Sequence, residues 1–175
     1  MDRGNHYEAA FEAYLRDARL PYVAVDETRR TVVDDEPIKS LDFIVHGGSE
    51  AKLLIDVKGR KFPGGKEDKP SFVWQNWSTE GDVDGLERWQ ARFGTGYCGL
   101  LVFVYDLQPI VELPRGTPDI WHWRGHRYLM RAISVSAYRE AMRPRSRKWG
   151  TVYLPTSAFR EQIRPFRAFS HPGSF

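Results

Sequence analysis

From Tyr97 to Tyr105 the chain runs Tyr-Cys-Gly-Leu-Leu-Val-Phe-Val-Tyr without one charged side chain. A strand with one wet face alternates apolar and polar residues, so an uninterrupted β-rich run has to be covered on both faces. This run is the longest apolar stretch in the chain, and it falls far short of the roughly 20 residues of a membrane-spanning helix. It predicts a central strand with helices on either side, which places the chain in the α/β class. With 175 residues, 41% hydrophobic and 14% aromatic, there is material for one sizeable core, and one domain over 1–175 is expected rather than two.

Other elements flank that strand. Tyr7, Ala10, Phe11, Tyr14, Leu15 and Ala18 recur at helical spacing between His6 and Arg19, and Pro21 closes the segment. Tyr22–Val25 reads as a short strand, followed by a polar loop to about Pro37. Leu41–Val45 and Lys52–Lys58 read as two strands around a Gly47-Gly48 turn, hence a hairpin. Residues 59–71 hold Gly59, Pro63, Gly64, Gly65 and Pro70 among charges and read as an exposed loop. Asp82–Phe93 is helical in pattern, with Val83, Leu86, Trp89 and Phe93 on one face, Asp82 as its cap and Gly94 as its stop. After the central strand come a Trp-rich hairpin over 120–131, a short helix over Val135–Met142 and a strand over Thr151–Leu154. The predicted order is α-β-β-β-α-β, with a C-terminal α+β extension over 106–175.

Charge divides the chain. Residues 1–111 carry 14 Lys and Arg against 19 Asp and Glu, whereas residues 112–175 carry 12 against 4. The C-terminal third is therefore the candidate anion-binding surface, with Arg143, Arg145, Arg147 and Lys148 as its densest cluster and Arg160, Arg164 and Arg167 behind. A merely solvated face is the alternative. The single cysteine, Cys98, excludes an internal disulfide and fits a reducing cytoplasm, and the polar Met1–His6 start has no secretion signal.

Side chains two apart on a strand share a face, so Asp56 and Lys58 project together while Ile55 and Val57 point into the core. Asp42, between Leu41 and Phe43, reaches the same place if the two strands pair. Two neighbouring carboxylates repel unless a cation neutralises them, and hard oxygen ligands suit magnesium or manganese. Lys58 beside such an ion would orient or deprotonate a water, or stabilise charge on a scissile phosphate. An isolated Asp-x-Lys is usually just an ion pair; its spacing and context here change those odds. None of the five histidines has metal-ligand spacing, and no phosphate-cradling Gly-rich loop, nucleophile elbow or dinucleotide fingerprint is present.

Glu8 in the first helix, Asp42 at one strand and Asp56-Val57-Lys58 on the next resemble the PD-(D/E)XK nuclease superfamily, typified by restriction endonucleases and archaeal Holliday junction resolvases. The resemblance covers about residues 5–105, and Gly85–Gly94 leading into the apolar strand is similar to the helix and strand that follow the catalytic hairpin in the resolvases. Leu41 stands where that family's second motif usually has Pro. The resemblance implies a restriction endonuclease-like mixed sheet flanked by helices and metal-dependent phosphodiester hydrolysis of DNA. It implies Mg2+ or Mn2+ held by Asp42, Asp56, the Val57 carbonyl and Glu8, with Lys58 catalytic and a homodimer as a further expectation. Glu8 shares the stripe of Phe11 and Leu15; Glu12, one turn on, is the alternative acid. Arg60 and Lys61 would grip phosphates, Gln90 would face the site, and Trp74, Asn76 and Trp77 would pack in the core or stack on bases. The opening His6-Tyr-Glu-Ala-Ala-Phe-Glu12 resembles the signature of the HYExAFE proteins, an uncharacterised bacterial family. The competing readings are a nuclease-like domain that binds nucleic acid or protein without cutting, and a structural protein whose Trp-rich residues 120–153 form an interaction surface.

Overall fold

The computed structural model describes residues 5–25, 31–33, 36–39 and 41–173; the polar start at 1–4 and parts of the loop expected before Pro37 lie outside them. Asn5 accepts the Tyr7 N–H and starts α1 (His6–Asp17), the helix expected from the spacing of Phe11 and Leu15. Strand β1 (Tyr22–Ala24) follows, and then a small hairpin of β2 (Thr31–Val33) and β3 (Glu36–Ile38). Strands β4 (Phe43–His46) and β5 (Lys52–Phe62) form the expected hairpin, joined through a 3-10 turn at Gly48–Glu50. Next come a hairpin of β6 (Gly64–Lys66) and β7 (Lys69–Ser71), the two-residue β8 (Ser78–Thr79), α2 (Glu80–Phe93) and β9 (Tyr97–Leu107).

Two expectations are corrected here. Residues 59–71 are no irregular loop: β5 runs on to Phe62, and 64–71 turn back as β6 and β7. The cause is the parallel ladder with β9, which pairs all of β5 from Lys52↔Tyr97 to Phe62↔Leu107 and overrides the weak strand propensity of Gly59 and its charged neighbours. Gly59 is required there, because a Cβ would lie 2.1 Å from the Tyr7 ring where α1 crosses the strand. The cap of α2 is Thr79 rather than Asp82; Asp82 is the third helical residue, and the two close a reciprocal capping box.

The C-terminal part adds β10 (Ile120–Trp123), β11 (His126–Ser134), α3 (Val135–Ala141), β12 (Arg143–Ser146), β13 (Thr151–Tyr153), α4 (Thr156–Gln162), β14 (Arg164–Pro165) and α5 (Arg167–Ser170). Strands β10, β11 and β14 join the central sheet, which runs β1-β4-β5-β9-β11-β10 with β14 beside β11. Among the described residues only β5 and β9 are parallel neighbours, so the seven-stranded sheet is mixed. A separate three-stranded sheet, β12-β13-β8, ties the basic hairpin to the start of α2.

Both faces of β9 are covered, as its composition requires. On one, Ala10, Phe11 and Leu15 of α1 pack with Phe43, Ile55, Val57, Val102 and Phe166. On the other, Val83 and Leu86 of α2 and Val135 and Tyr138 of α3 pack with Leu54, Leu101 and Phe103. Residues Leu100 through Val104 are wholly buried. Each such large side chain is worth roughly 1.5–3 kcal/mol relative to exposure. The buried Asp119 accepts hydrogen bonds from Tyr14 Oη, Arg167 N and Arg167 Nε, which pins α5 against α1.

Candidate functional site

Ile55 and Val57 point toward α1, so Asp56 and Lys58 emerge on the opposite face, beneath the first turn of α2. There Lys58 Nζ lies 2.8 Å from Asp56 Oδ1 and 2.9 Å from Asp82 Oδ2. Asp82 is shared further: its Oδ2 accepts from Ser78 Oγ and from the Thr79 N–H, both at 3.0 Å, and Lys39 pairs with its Oδ1. All three members of this cluster are largely buried. Asp82 was read from the sequence only as a helix cap; its part in the charge cluster depends on the crossing of α2 over β5, which no local signal encodes.

The electrostatics follow from that geometry. Burial pushes the Asp56 carboxyl up to about 6; Lys58 opposes the rise and the like charge of Asp82 adds to it. Burial would also raise Asp82, but Lys58, Lys39 and the Thr79 N–H together hold it below the usual carboxylate range. Burial alone would lower Lys58, yet the two carboxylates outweigh it and keep the ammonium more basic than usual.

Asp42 lies one position beyond the Phe43↔Ile55 pair of the hairpin, beside Asp56 in register. It is buried, its Oδ2 accepts the Val57 N–H at 2.6 Å, and its N–H donates to the Ile55 carbonyl at 2.8 Å. The carboxylate is thus locked onto the strand that carries Asp56 and Lys58. Glu8 is half-buried on α1, which packs on the Ile55–Val57 face, and its Oε1 accepts from Asn5 Nδ2 at 3.0 Å. Glu12 pairs with Arg16 and accepts from Tyr22 Oη. Among the described residues no three His, Cys, Asp or Glu side chains converge where they would jointly hold a metal ion.

The remaining sequence candidates fall into distinct places. Arg60, on the same face as Lys58, donates to the Gly59 and Trp77 carbonyls and stacks on the Trp77 ring at 4.1 Å. It has no carboxylate partner among the described residues, and burial lowers its pKa. Lys61 is exposed. Arg143 and Arg145 stand on β12, with Arg145 over Trp77 at 5.2 Å; Arg147 lies exposed in the following turn, and Lys148 lies over Trp149 at 5.2 Å. Trp74 stacks on Phe62 with ring centroids 3.5 Å apart, the packing role. Asn76 is buried and bridges both the N–H and the carbonyl of Leu154. Gln90 Oε1 accepts the Gly99 N–H at 2.6 Å, so it fastens α2 to the start of β9. Glu80 N donates to the Gly150 carbonyl, which places the basic hairpin against the same helix start that supplies Asp82.

No helix among the described residues is long and apolar enough to cross a membrane. No family model matches the chain and no curated protein matches it, so the HYExAFE resemblance rests on the opening string alone. A solved structure does match: Hjc of Archaeoglobus fulgidus, a Holliday junction resolvase from an archaeal hyperthermophile, at TM-score 0.53 and 12% identity, over 95% of this chain and 94% of that one. At that identity the likeness is one of fold, and the architecture described above is accordingly a restriction endonuclease-like α/β fold with a mixed sheet between helices.

Proposed function

We propose that this chain is a metal-dependent nuclease that hydrolyses phosphodiester bonds in DNA. The observation that carries this reading is the buried Asp56–Lys58–Asp82 cluster with Asp42 locked beside it. Ionisable groups gathered under cover and moved far from their ordinary pKa values are costly to keep without a function. The fold it shares with a resolvase supports the same class of chemistry.

The donor set fits a divalent cation. Asp42 and Asp56 offer hard carboxylate oxygens at neighbouring register positions, and Mg2+ is commonly held by one or two carboxylates with water completing the shell. The resistance of Asp56 to ionisation marks a carboxylate that Lys58 alone does not fully compensate. We assign Asp42, Asp56 and the Val57 carbonyl as ligands; Glu8, expected from the sequence as a further ligand, stands on α1 at the opposite face of the sheet from Asp56 and is left out of the set. A bound Mg2+ or Mn2+ supplies polarisation of a phosphate and a water of lowered pKa.

Lys58 is held protonated by its two carboxylates, which favours stabilising charge on the phosphoryl oxygens over acting as a base. Arg60, partly buried and without a carboxylate partner among the described residues, is our candidate for a phosphate beside the scissile one, which it would reach by exchanging its present bonds to the Gly59 and Trp77 carbonyls, and Lys61 with the Arg143–Lys148 hairpin would extend that surface. The reaction adds water across the P–O3′ bond.

A calorimetric titration of Mn2+ into the native protein and into Asp56→Asn tests the site, followed by cleavage assays on branched and linear DNA. Binding lost in the variant, with cleavage by the native protein, is the expected result. Absence of Mn2+ affinity and of cleavage, even with DNA present, would overturn it. A second reading, a nuclease-like domain that binds without cutting, is favoured by one observation: no three metal-binding side chains converge among the described residues, while Lys58 already closes both ion pairs. DNA binding without Mn2+ uptake or cleavage is the outcome that supports it.

A further inference from the structure

A cleft of about 580 Å³ opens between the irregular segment Phe72–Trp77 and the wall formed by β12, β13 and α4. Its lining is unusual in two respects. Phe72, Val73 and Tyr153 are 60%, 61% and 38% exposed, although an apolar side chain is normally buried when a core is within reach. No residue lining the cleft is acidic, while Arg145 and Arg160 both line it and neither has an ion-pair partner among the described residues.

The walls are built rather than loose. Tyr105 Oη donates to the Gln75 carbonyl at 2.9 Å and Tyr138 Oη to the Asn76 carbonyl at 2.8 Å, while the Asn76 side chain clamps Leu154. The exposed rings therefore sit on a fixed frame. The cleft is also coupled to the acidic cluster: the Trp77 ring meets both Arg145 and Arg60 of β5, and Arg60 follows Lys58 on the same strand face.

Exposed aromatic rings interleaved with unpaired arginines suit a ligand with flat apolar faces and regularly spaced negative charges, which is the chemistry of an unpaired nucleic-acid strand. We propose that this cleft seats unpaired nucleotides of a single strand, with bases against Phe72 and Tyr153 and phosphates on Arg145 and Arg160. Within a duplex the bases are already stacked on one another, so only a terminal pair has a flat face to offer these rings. The site would direct the protein to junctions, flaps or ends where strands separate. This inference rests on the reading that the chain acts on nucleic acid, though not on cleavage.

The test is fluorescence anisotropy in EDTA, so that nothing is cut, with a labelled oligothymidylate of about 12 nucleotides, within the site sizes such clefts cover. A blunt duplex of equal length serves as the comparison. Phe72→Ala and Tyr153→Ala are each expected to weaken single-strand binding about 5- to 20-fold, given the usual worth of one base–ring stack. Phe72→Tyr and Tyr153→Phe, which keep the ring, should retain it, and duplex binding should change less than about two-fold. Arg145→Ala and Arg160→Ala should each reduce the salt dependence of single-strand binding by about 0.7 in log–log slope. Unchanged affinity in the alanine variants, or equal losses on duplex and single strand, would overturn the proposal. Native binding to duplex but not to oligothymidylate would remove this site and leave the nuclease reading standing. Native binding to neither would count against both, and in favour of a protein partner for the cleft.

Discussion

Asp56→Asn in the metal-free protein should increase stability at alkaline pH. Asp56 titrates near 6 in the folded chain against 3.8 for an ordinary aspartate. Below the lower value both states are protonated and the residue makes no difference. As pH rises, the unfolded chain releases its proton first, and above about 6 the folded state bears the whole cost of a buried carboxylate. At 1.36 kcal/mol per pH unit, that cost reaches about 3 kcal/mol by pH 8. An amide does not reproduce every contact of a protonated acid, so the expected gain is about 1–3 kcal/mol, or roughly 3–8 °C in melting temperature for a chain of this size. The assay is thermal unfolding by circular dichroism in EDTA at pH 5 and pH 8, with the gain large at pH 8 and shrinking toward pH 5. Adding Mn2+ to about a hundred times its dissociation constant should then raise the native protein by about 2.7 kcal/mol and leave the variant unmoved. A variant less stable than the native protein at pH 8, or an offset constant with pH, would refute the argument that Asp56 is held against its own ionisation.

Two further outcomes follow from the same geometry. Lys58→Met leaves the Asp56 and Asp82 carboxylates buried without their shared cation and is expected to cost about 3–5 kcal/mol at pH 8 in urea denaturation, with a smaller loss at pH 5 where Asp56 protonates; a loss equal at both pH values would contradict this. Gly59→Ala drives a methyl group into the Tyr7 ring and is expected to cost about 1–3 kcal/mol, most of it recovered in the Tyr7→Ala background, as a double-mutant cycle would reveal.

Much of this protein was legible in the order of its residues. The charge-free run at Tyr97 required a strand covered on both faces, and Leu100 through Val104 are wholly buried. Periodicity located α1 and α2 to within a few residues, and the Gly47-Gly48 turn fixed the hairpin that brings Asp42 beside Asp56 and Lys58. These are local matters: side-chain alternation on a strand, repeat on a helix and the chemistry of a turn act between near neighbours in sequence.

What the sequence alone could not specify is everything that depends on partners far along the chain. Residues 59–62 hold a strand only because β9, more than forty positions away, supplies their hydrogen bonds. Asp82 joins Lys58 because α2 crosses β5, and the basic residues 143–148 reach that helix because β13 pairs with the two residues of β8. The separation of the basic third from the acidic remainder was visible as charge, but its placement beside Arg60, Trp77 and the exposed ring of Phe72 was not. The sequence by itself determined the elements whose pattern is local, namely α1, α2, the β4–β5 hairpin and the central strand, and which charges need a reason to be buried; the long-range pairing of the sheet decided the remaining strands and which of those charges meet.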